Sequence, residues 1–159
     1  MSAPQLPRGP NEPAGSSPRG LRNRNPGNVK RSSSSWLGKI PHAQSTDSTF
    51  EQFTDAKYGI RVIAYLLLKY QRDKGKKTIR QLIGEAGGWA PTNTDKNPSS
   101  YATWVAAQLG VSETAALDLY AGRNLERMVT AIIQFENGQQ PYTSGAIADG
   151  VALGMDAMR

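Results

Sequence analysis

The fold depends on one stretch of the chain, residues 55–72, which reads DAKYGIRVIAYLLLKYQR. Its apolar side chains recur at helical spacing and would form one stripe on a helix. That stripe consists of Ile60, Ile63, Ala64, Leu67 and Leu68. Thr54 and Asp55 precede it, and both are residue types that cap helix N-termini. The stretch therefore predicts a central buried helix that begins after one of these caps and ends near Arg72.

Glycine and proline divide the rest of the chain into shorter patterns. Gly150 and Gly154 interrupt the last pattern, which covers residues 144–158, so we expect a helix there only when it packs on a partner. Upstream, residues 21–53 predict loop with one short hairpin over 29–39. Downstream, the expected helices run from Thr78 to Gly87, from Pro98 to Leu109, from Glu113 to Ala121, from Leu125 to Asn137 and over 144–158.

These patterns predict a mainly α chain with a short hairpin or irregular β region in its N-terminal part. A length of 159 residues and a hydrophobic content of 38% suit one compact domain, which we assign to residues 20–138. Residues 1–19 contain five prolines and few apolar side chains, so we expect a flexible basic arm. Residues 139–159 are assigned to a C-terminal assembly segment.

The net charge of +6 is concentrated near the N-terminus. Residues 1–39 hold seven basic residues and one acidic residue, whereas the other 120 residues hold 12 of each. This asymmetry suits a polyanionic partner, which is either nucleic acid or an anionic cell-wall surface. The candidate anion-binding residues are Arg22, Arg24, Lys30 and Arg31.

Composition disfavours several classes of protein. The chain has no cysteine and a single histidine, His42, so we expect no metal site and no cofactor. His42 follows a proline and is expected in a surface loop. The longest apolar run, residues 62–68, is much shorter than the roughly 20 residues of a membrane-spanning helix, so no membrane span is expected. The N-terminus shows no secretory pattern, and we expect synthesis in a cytoplasm.

A series of short motifs occurs in order along the first two thirds of the chain. The series is GLRNRNPGNVK at 20–30, WLG at 36–38, FEQF at 50–53, YGIR at 58–61, TI at 78–79, WAP at 89–91, Asn97 and Tyr101. It resembles the pattern of small tailed-phage virion proteins of the lysozyme-like, peptidoglycan-acting kind. The resemblance covers about residues 20–112, and it implies a lysozyme-like helical domain and a place in the virion.

A second resemblance, to autolysin-type glucosaminidases, concerns the asparagine turn, the tryptophan after it and the helix that follows. It implies a glycan-binding wall made of Asn25, Asn28, Trp36, Trp89, Asn97 and Tyr101. Asparagine amides both donate and accept hydrogen bonds, and aromatic faces can stack on sugar rings. The alternative is structural, with the aromatic residues in the core and the asparagines in turn hydrogen bonds.

Enzymes of that type place a catalytic glutamate at the end of a helix upstream of the asparagine turn, where this chain has only the proline-rich arm with Glu12. Glycosidic cleavage needs a proton donor in a partly apolar setting. Glu51, between Phe50 and Phe53, is therefore the candidate catalytic acid. The alternative is that the two phenylalanines anchor the segment while Glu51 faces solvent.

The sequence is compatible with three functions. The first is a virion-associated protein that engages or degrades peptidoglycan during genome entry, made in the host cytoplasm and delivered to the host periplasm. The second is a catalytically inactive plug that other virion proteins hold in the portal or tail. The third is an ejection or packaging factor that contacts DNA through the N-terminal region, which predicts binding that weakens steeply with salt.

Overall fold

The structure is a computed structural model that describes residues 18–90 and 98–159. A 3-10 turn at His42–Gln44 and a π-helical turn at Arg80–Gly84 lie between its α-helices. These helices are α1 Arg19–Arg22, α2 Ala56–Lys74, α3 Pro98–Leu109, α4 Asn124–Asn137 and α5 Ser144–Ala157. In the same ranges, β structure consists of two isolated antiparallel bridges, Lys30 with Phe50 and Lys39 with Phe53. The prediction of a mainly α chain is confirmed.

The predicted central helix is α2. Asp55 caps it, since its carboxylate accepts a hydrogen bond from the backbone N–H of Lys57 at 2.9 Å. The whole predicted stripe is buried, because α2 packs on α4, α5 and the π-helical turn. Gly75 ends the helix in the left-handed conformation, with a φ of 65°. Within the described ranges, no helix combines the length and the apolar character needed to cross a membrane.

The weak C-terminal pattern forms α5, which packs on α2 of the same chain. Gly150 and Gly154 are the points of closest approach between the two helices. A Cβ at Gly150 would lie 2.5 Å from Cγ2 of Ile60, and a Cβ at Gly154 would lie 2.7 Å from Cβ of Ala64. Real carbon contacts are longer than this. The two glycines that interrupt the sequence pattern are therefore what allows α5 to lie against α2.

The predicted three-part organisation falls partly outside the described residues. The flexible arm was predicted for residues 1–19, of which residues 1–17 lie outside them. The last residue of that segment, Arg19, begins α1 and binds Asp47. At the other end, the segment 139–159 contains α5.

The helix predicted after Thr78 is reduced to the π-helical turn. The Thr78 hydroxyl accepts a hydrogen bond from the N–H of Gln81 at 3.1 Å, as a cap would. Ile79, Leu82 and Ile83 are all completely buried, as the pattern predicted. The apolar side of the segment was therefore identified, whereas its helix type was not.

The helix predicted from Glu113 to Ala121 is wrong, because these residues form irregular turns. Their backbone bonds to other segments instead. The N–H of Leu117 donates to the oxygen of Lys77 at 2.7 Å. The side chain of Gln71 donates to the oxygen of Leu117 and accepts from the N–H of Leu119, both at 2.8 Å. Leu117 and Leu119 are two positions apart and both buried, which is the spacing of extended chain rather than helix.

The hairpin predicted over 29–39 is also wrong, because its two halves pair with residues 50–53 instead of with each other. The N–H of Glu51 donates to the oxygen of Val29 at 3.0 Å, and that of Ile40 donates to the oxygen of Gln52 at 2.8 Å. Phe53 is completely buried. The FEQF motif therefore anchors both halves to the core.

A buried carboxylate, Asp47, joins α1 to the irregular region. Arg19 donates to it through Nε at 2.6 Å and Nη2 at 2.7 Å, and Asn23 Nδ2 donates at 2.8 Å. The backbone N–H groups of Thr49 and Phe50 add bonds of 2.8 and 2.9 Å. Burial acts to raise the pKa of Asp47, but these hydrogen bonds outweigh it and hold the pKa well below its usual value.

Replacing Asp47 with asparagine is expected to lower the free energy of unfolding at neutral pH by about 2 kcal/mol, since a charge-assisted network is lost. The pKa of Asp47 is lower in the folded than in the unfolded chain. Its contribution is therefore present above the unfolded pKa of about 4 and is lost as the pH falls below that value. Urea unfolding of both proteins across this range measures the difference, which should shrink on acidification.

The matched control is Asp73→Asn, since Asp73 forms an exposed pair with Arg72 and exposed pairs contribute little. That variant should unfold like the wild type. A difference between wild type and Asp47→Asn that stayed constant from neutral to acidic pH would show that the charge of Asp47 does not stabilise the fold.

Candidate functional site

The asparagine turn at residues 25–28 is built around the completely buried side chain of Asn25. Its Nδ2 donates to the backbone oxygens of Val29 and Glu51, both at 2.9 Å, and its Oδ1 accepts from the N–H of Val29 at 3.0 Å. The structure thus places Asn25, a predicted glycan contact, in the interior. There it determines the shape of the turn.

Asn28 ends the turn in the left-handed conformation, with a φ of 52°. Its side chain donates through Nδ2 to Oε1 of Glu136 at 3.1 Å. The next residue of α4, Asn137, is buried and donates through Nδ2 to the oxygen of Pro26 at 2.8 Å. These two hydrogen bonds join the C-terminal end of α4 to the asparagine turn.

Trp89 and Tyr101 lie beside the contact between the asparagine turn and the C-terminal end of α4. A Cβ at Gly27 would lie 2.9 Å from two ring atoms of Trp89, so the indole packs directly on the turn. Tyr101 of α3 is completely buried and stacks on Phe135, with ring centroids 3.7 Å apart. Burial and then the Glu136 carboxylate raise the pKa of Tyr101, while Trp89 acts in the opposite direction. The Tyr101 hydroxyl therefore lies beside both Glu136 and Trp89.

Asn28, Trp89 and Glu136 are each partly exposed, and we name the surface that they form the Asn28 face. Tyr101 is completely buried and lies on the interior side of this face, next to Trp89 and Glu136. A carboxylate can accept from hydroxyl and acetamido groups, and an indole ring can stack on a sugar ring. Asn28 acts through the carboxylate, since its Oδ1 is buried and its Nδ2 donates to Glu136. The structure thus brings together Asn28, Trp89 and Tyr101 of the predicted glycan wall. Asn97 lies outside the described residues.

The structure places Trp36 against α2. Its ring meets that of Tyr65 edge-on, with centroids 5.6 Å apart. Gly38, which has a φ of 77°, packs against the ring of Tyr58. Both tyrosines belong to α2, so the WLG motif folds onto this helix, and Trp89 is the tryptophan beside the asparagine turn.

Glu51, the predicted acid, is completely buried. Its Oε2 pairs with Nζ of Lys39 at 2.9 Å and accepts from the N–H of Ser32 at 3.2 Å, while its Oε1 bonds to Nε2 of His42 at 2.7 Å. Both carboxylate oxygens are thus bound by groups of the protein, which does not favour contact with an external glycan. His42, expected in a surface loop, is a half-buried partner of this carboxylate.

The four predicted anion-binding residues have different surroundings. Arg22 and Lys30 are exposed. Arg24 is buried, and its Nη1 donates to the backbone oxygen of Thr54 at 3.0 Å. Arg31 is partly buried, and its Nη1 lies 3.4 Å from the backbone oxygen of Asp47. Arg24 and Arg31 therefore hold backbone segments of the domain, and the exposed positive charge of this set lies at Arg22 and Lys30.

The sequence interpretation missed Glu136 and Asn137. Asn-Gly is a common pattern at a helix end, and residues 137–138 were interpreted in that sense alone. One further signal is visible in the sequence: an acidic residue in the last turn of a helix opposes the helix dipole. That signal marks Glu136 as unusual but does not show that it faces the asparagine turn.

Comparison with known proteins places the chain among phage proteins. No protein-family model matches it. The chain is similar to protein P5 of Pseudoalteromonas phage PM2, with 33% identity over 139 residues, which cover 86% of this chain and 81% of the relative. The similarity therefore extends over most of both chains, and the phage part of the predicted resemblance is confirmed.

Proposed function

Because this chain belongs to the family of protein P5 of Pseudoalteromonas phage PM2, we propose that it is a virion-associated protein that engages peptidoglycan during genome entry. The observation that carries the proposal is the Asn28 face. We extend the proposal to a lysozyme-like arrangement, in which α2 is the long central helix and the asparagine turn lies beside the glycan site. Other virion proteins hold the chain in the particle and deliver it to the periplasm.

The chemistry of the Asn28 face suits a glycan strand. Peptidoglycan sugars present hydroxyl and acetamido groups, which donate and accept hydrogen bonds, and ring faces, which are apolar. The Glu136 carboxylate, to which Nδ2 of Asn28 donates at 3.1 Å, can accept from the polar groups, and the Trp89 indole matches the ring faces. All three residues are partly exposed, and Asn25 makes their support rigid through its hydrogen bonds to Val29 and Glu51.

Removal of the Asn28 side chain tests this proposal. The full chain is expected to pellet with purified peptidoglycan sacculi. Asn28→Gly should bind about tenfold more weakly, because the Glu136 carboxylate loses the hydrogen bond that holds it in place, and a tenfold change corresponds to roughly one hydrogen bond. Glycine accepts the left-handed φ at position 28, so the turn should keep its shape. Asn124→Ala removes an exposed amide at the other end of α4 and should bind like the wild type.

Two results would contradict the proposal. A wild-type chain that stays in the supernatant does not bind peptidoglycan, and equal binding by Asn28→Gly would move the site away from the Asn28 face. Mass spectrometry of purified particles tests the virion assignment separately. If the chain is absent from particles, that part of the proposal is wrong.

One observation favours a second function, that of a catalytically inactive structural component of the virion. Glu51 is bound entirely within the protein, so the acid first expected to act on sugar stabilises the fold instead. A chain that is present in particles but does not bind sacculi would support this function. The DNA-binding alternative rests on exposed Arg22 and Lys30 and predicts duplex binding that falls steeply as salt is raised.

A further inference from the structure

The outward side of α2 carries aromatic and basic side chains that are interleaved along the helix. They follow one another three or four positions apart, so they line up along one side of the helix. These residues are Tyr58, Arg61, Tyr65, Lys69 and Arg72. All of them are at least partly exposed, and we name the surface that they form the Tyr65 face. The asparagine turn contacts α2 elsewhere, at Gly59 and Ile63, so the Tyr65 face and the Asn28 face are separate surfaces.

Side chains from two other segments extend the apolar part of the Tyr65 face. The Trp36 ring meets the Tyr65 ring edge-on, and the next residue, Leu37, is 52% exposed. At the other end of the face, Tyr120 is 53% exposed and lies close enough for its hydroxyl to act on the Arg72 guanidinium. The face therefore offers exposed aromatic and aliphatic surface beside its cations.

The charge of the Tyr65 face is positive. Three of its five residues are cations and none is acidic. Lys57, one position before the face begins, adds a fourth cation, and its Nζ lies 5.2 Å from the centre of the Tyr58 ring, as in cation–π contacts. Asp73 offsets part of this charge, since it pairs with Arg72 at 2.8 Å and lies near Lys69. The excess of cations over this one carboxylate suits a polyanion.

We propose that the Tyr65 face binds single-stranded nucleic acid, an inference that goes beyond the proposed function and does not depend on it. Proteins that bind single strands combine cations for the phosphates with aromatic rings on which bases stack, and this face places the two side by side. A duplex keeps its base faces stacked inside, so it could use the cations but not the rings. The site also differs from the duplex-binding alternative, which rests on Arg22 and Lys30.

The test measures binding of the full-length chain to a fluorescein-labelled oligothymidylate of about 12 nucleotides by fluorescence anisotropy. The wild type should bind at low salt and release the strand as salt is raised, because neutralised phosphates release their counterions. Tyr120→Leu removes an exposed ring and should bind about tenfold more weakly, which is the scale of one lost stacking contact. Tyr120→Phe keeps the ring and should bind like the wild type. Circular dichroism checks that both variants are folded.

A second pair of variants tests the cations. Lys69→Gln should weaken binding severalfold and make the salt dependence less steep by about one phosphate contact. Lys30→Gln removes the same charge close to the asparagine turn, where Lys30 is exposed, and should bind like the wild type. If Lys30→Gln weakened binding and Lys69→Gln did not, the strand would bind the N-terminal region and the inference would be wrong.

Other outcomes that overturn the inference are a wild type that does not bind at low salt, tighter binding to a duplex of the same length, and equal binding by Tyr120→Leu. Polyglutamate has the charge without the bases, so its displacing the strand as readily as unlabelled oligothymidylate would also contradict the inference. Binding to phosphatidylglycerol vesicles in place of the strand would assign the Tyr65 face to lipid. Tyr120→Leu should still pellet with sacculi, so this inference and the proposed function can each fail alone.

Discussion

Gly150→Leu is expected to lower the free energy of unfolding by more than about 3 kcal/mol, at the upper end of what overpacking a core produces. Even the first added carbon would lie 2.5 Å from Cγ2 and 2.6 Å from Cβ of Ile60. Ile60 is buried in α2 and is stiff at its branched Cβ, so it cannot move aside. Relief therefore requires α5 to move away from α2, which exposes the apolar contact between them. Urea unfolding followed by circular dichroism measures the loss.

Gly145→Leu is the matched control, because it adds the same side chain to the same helix. A Cβ at Gly145 would have Thr143 Oγ1 as its nearest neighbour, at 3.9 Å, which is an ordinary contact. Leucine also favours helix more than glycine does, so this variant should be as stable as the wild type or slightly more stable. If both leucine variants unfolded at the same urea concentration, close packing of α5 on α2 would be ruled out.

The second large effect is expected at the asparagine turn. Asn25→Asp keeps the size of the side chain but replaces the amide that donates to the oxygens of Val29 and Glu51 with a carboxylate oxygen that cannot donate. A buried carboxylate would then face two backbone oxygens. We expect the free energy of unfolding at neutral pH to fall by about 3 kcal/mol or more, as measured by urea unfolding.

Acidification should recover part of that loss, because protonation of the introduced carboxyl restores one donor. Asn124→Asp is the control, since it makes the same change at the exposed N-terminal end of α4, where a negative charge is favourable. Its stability should remain close to that of the wild type. An Asn25→Asp variant as stable as Asn124→Asp would mean that the amide of Asn25 does not hold the turn.

Local patterns predicted the helices well where one side of the helix is buried by the rest of the chain. α2, α3 and α4 lie within two residues of their predicted bounds, because apolar spacing and caps act over a few neighbouring positions. The segment around Leu117 fails for the opposite reason. Its backbone bonds to Lys77 and to the Gln71 side chain, and no local signal marks those distant partners.

The candidate site shows the same division. Asparagine and aromatic residues could be selected by type, and Asn28, Trp89 and Tyr101 do come together in the structure. Which carboxylate joins them depends on the packing of α4 against the turn. The sequence interpretation therefore chose Glu51, whereas in the structure it is Glu136 that lies beside Asn28. Gly27 acts in a similar way. Its role is to admit the Trp89 ring, and this becomes visible only in the folded chain.

The hydrogen bond between Asn28 and Glu136 has a consequence for biosynthesis. It spans a sequence separation of 108 residues, and closing a flexible loop of that length costs roughly 4 kcal/mol of chain entropy, more than one hydrogen bond returns. The contact therefore forms after the core has already drawn the two ends together. A chain still emerging from the ribosome lacks α4, so the Asn28 face cannot form before translation has passed residue 136.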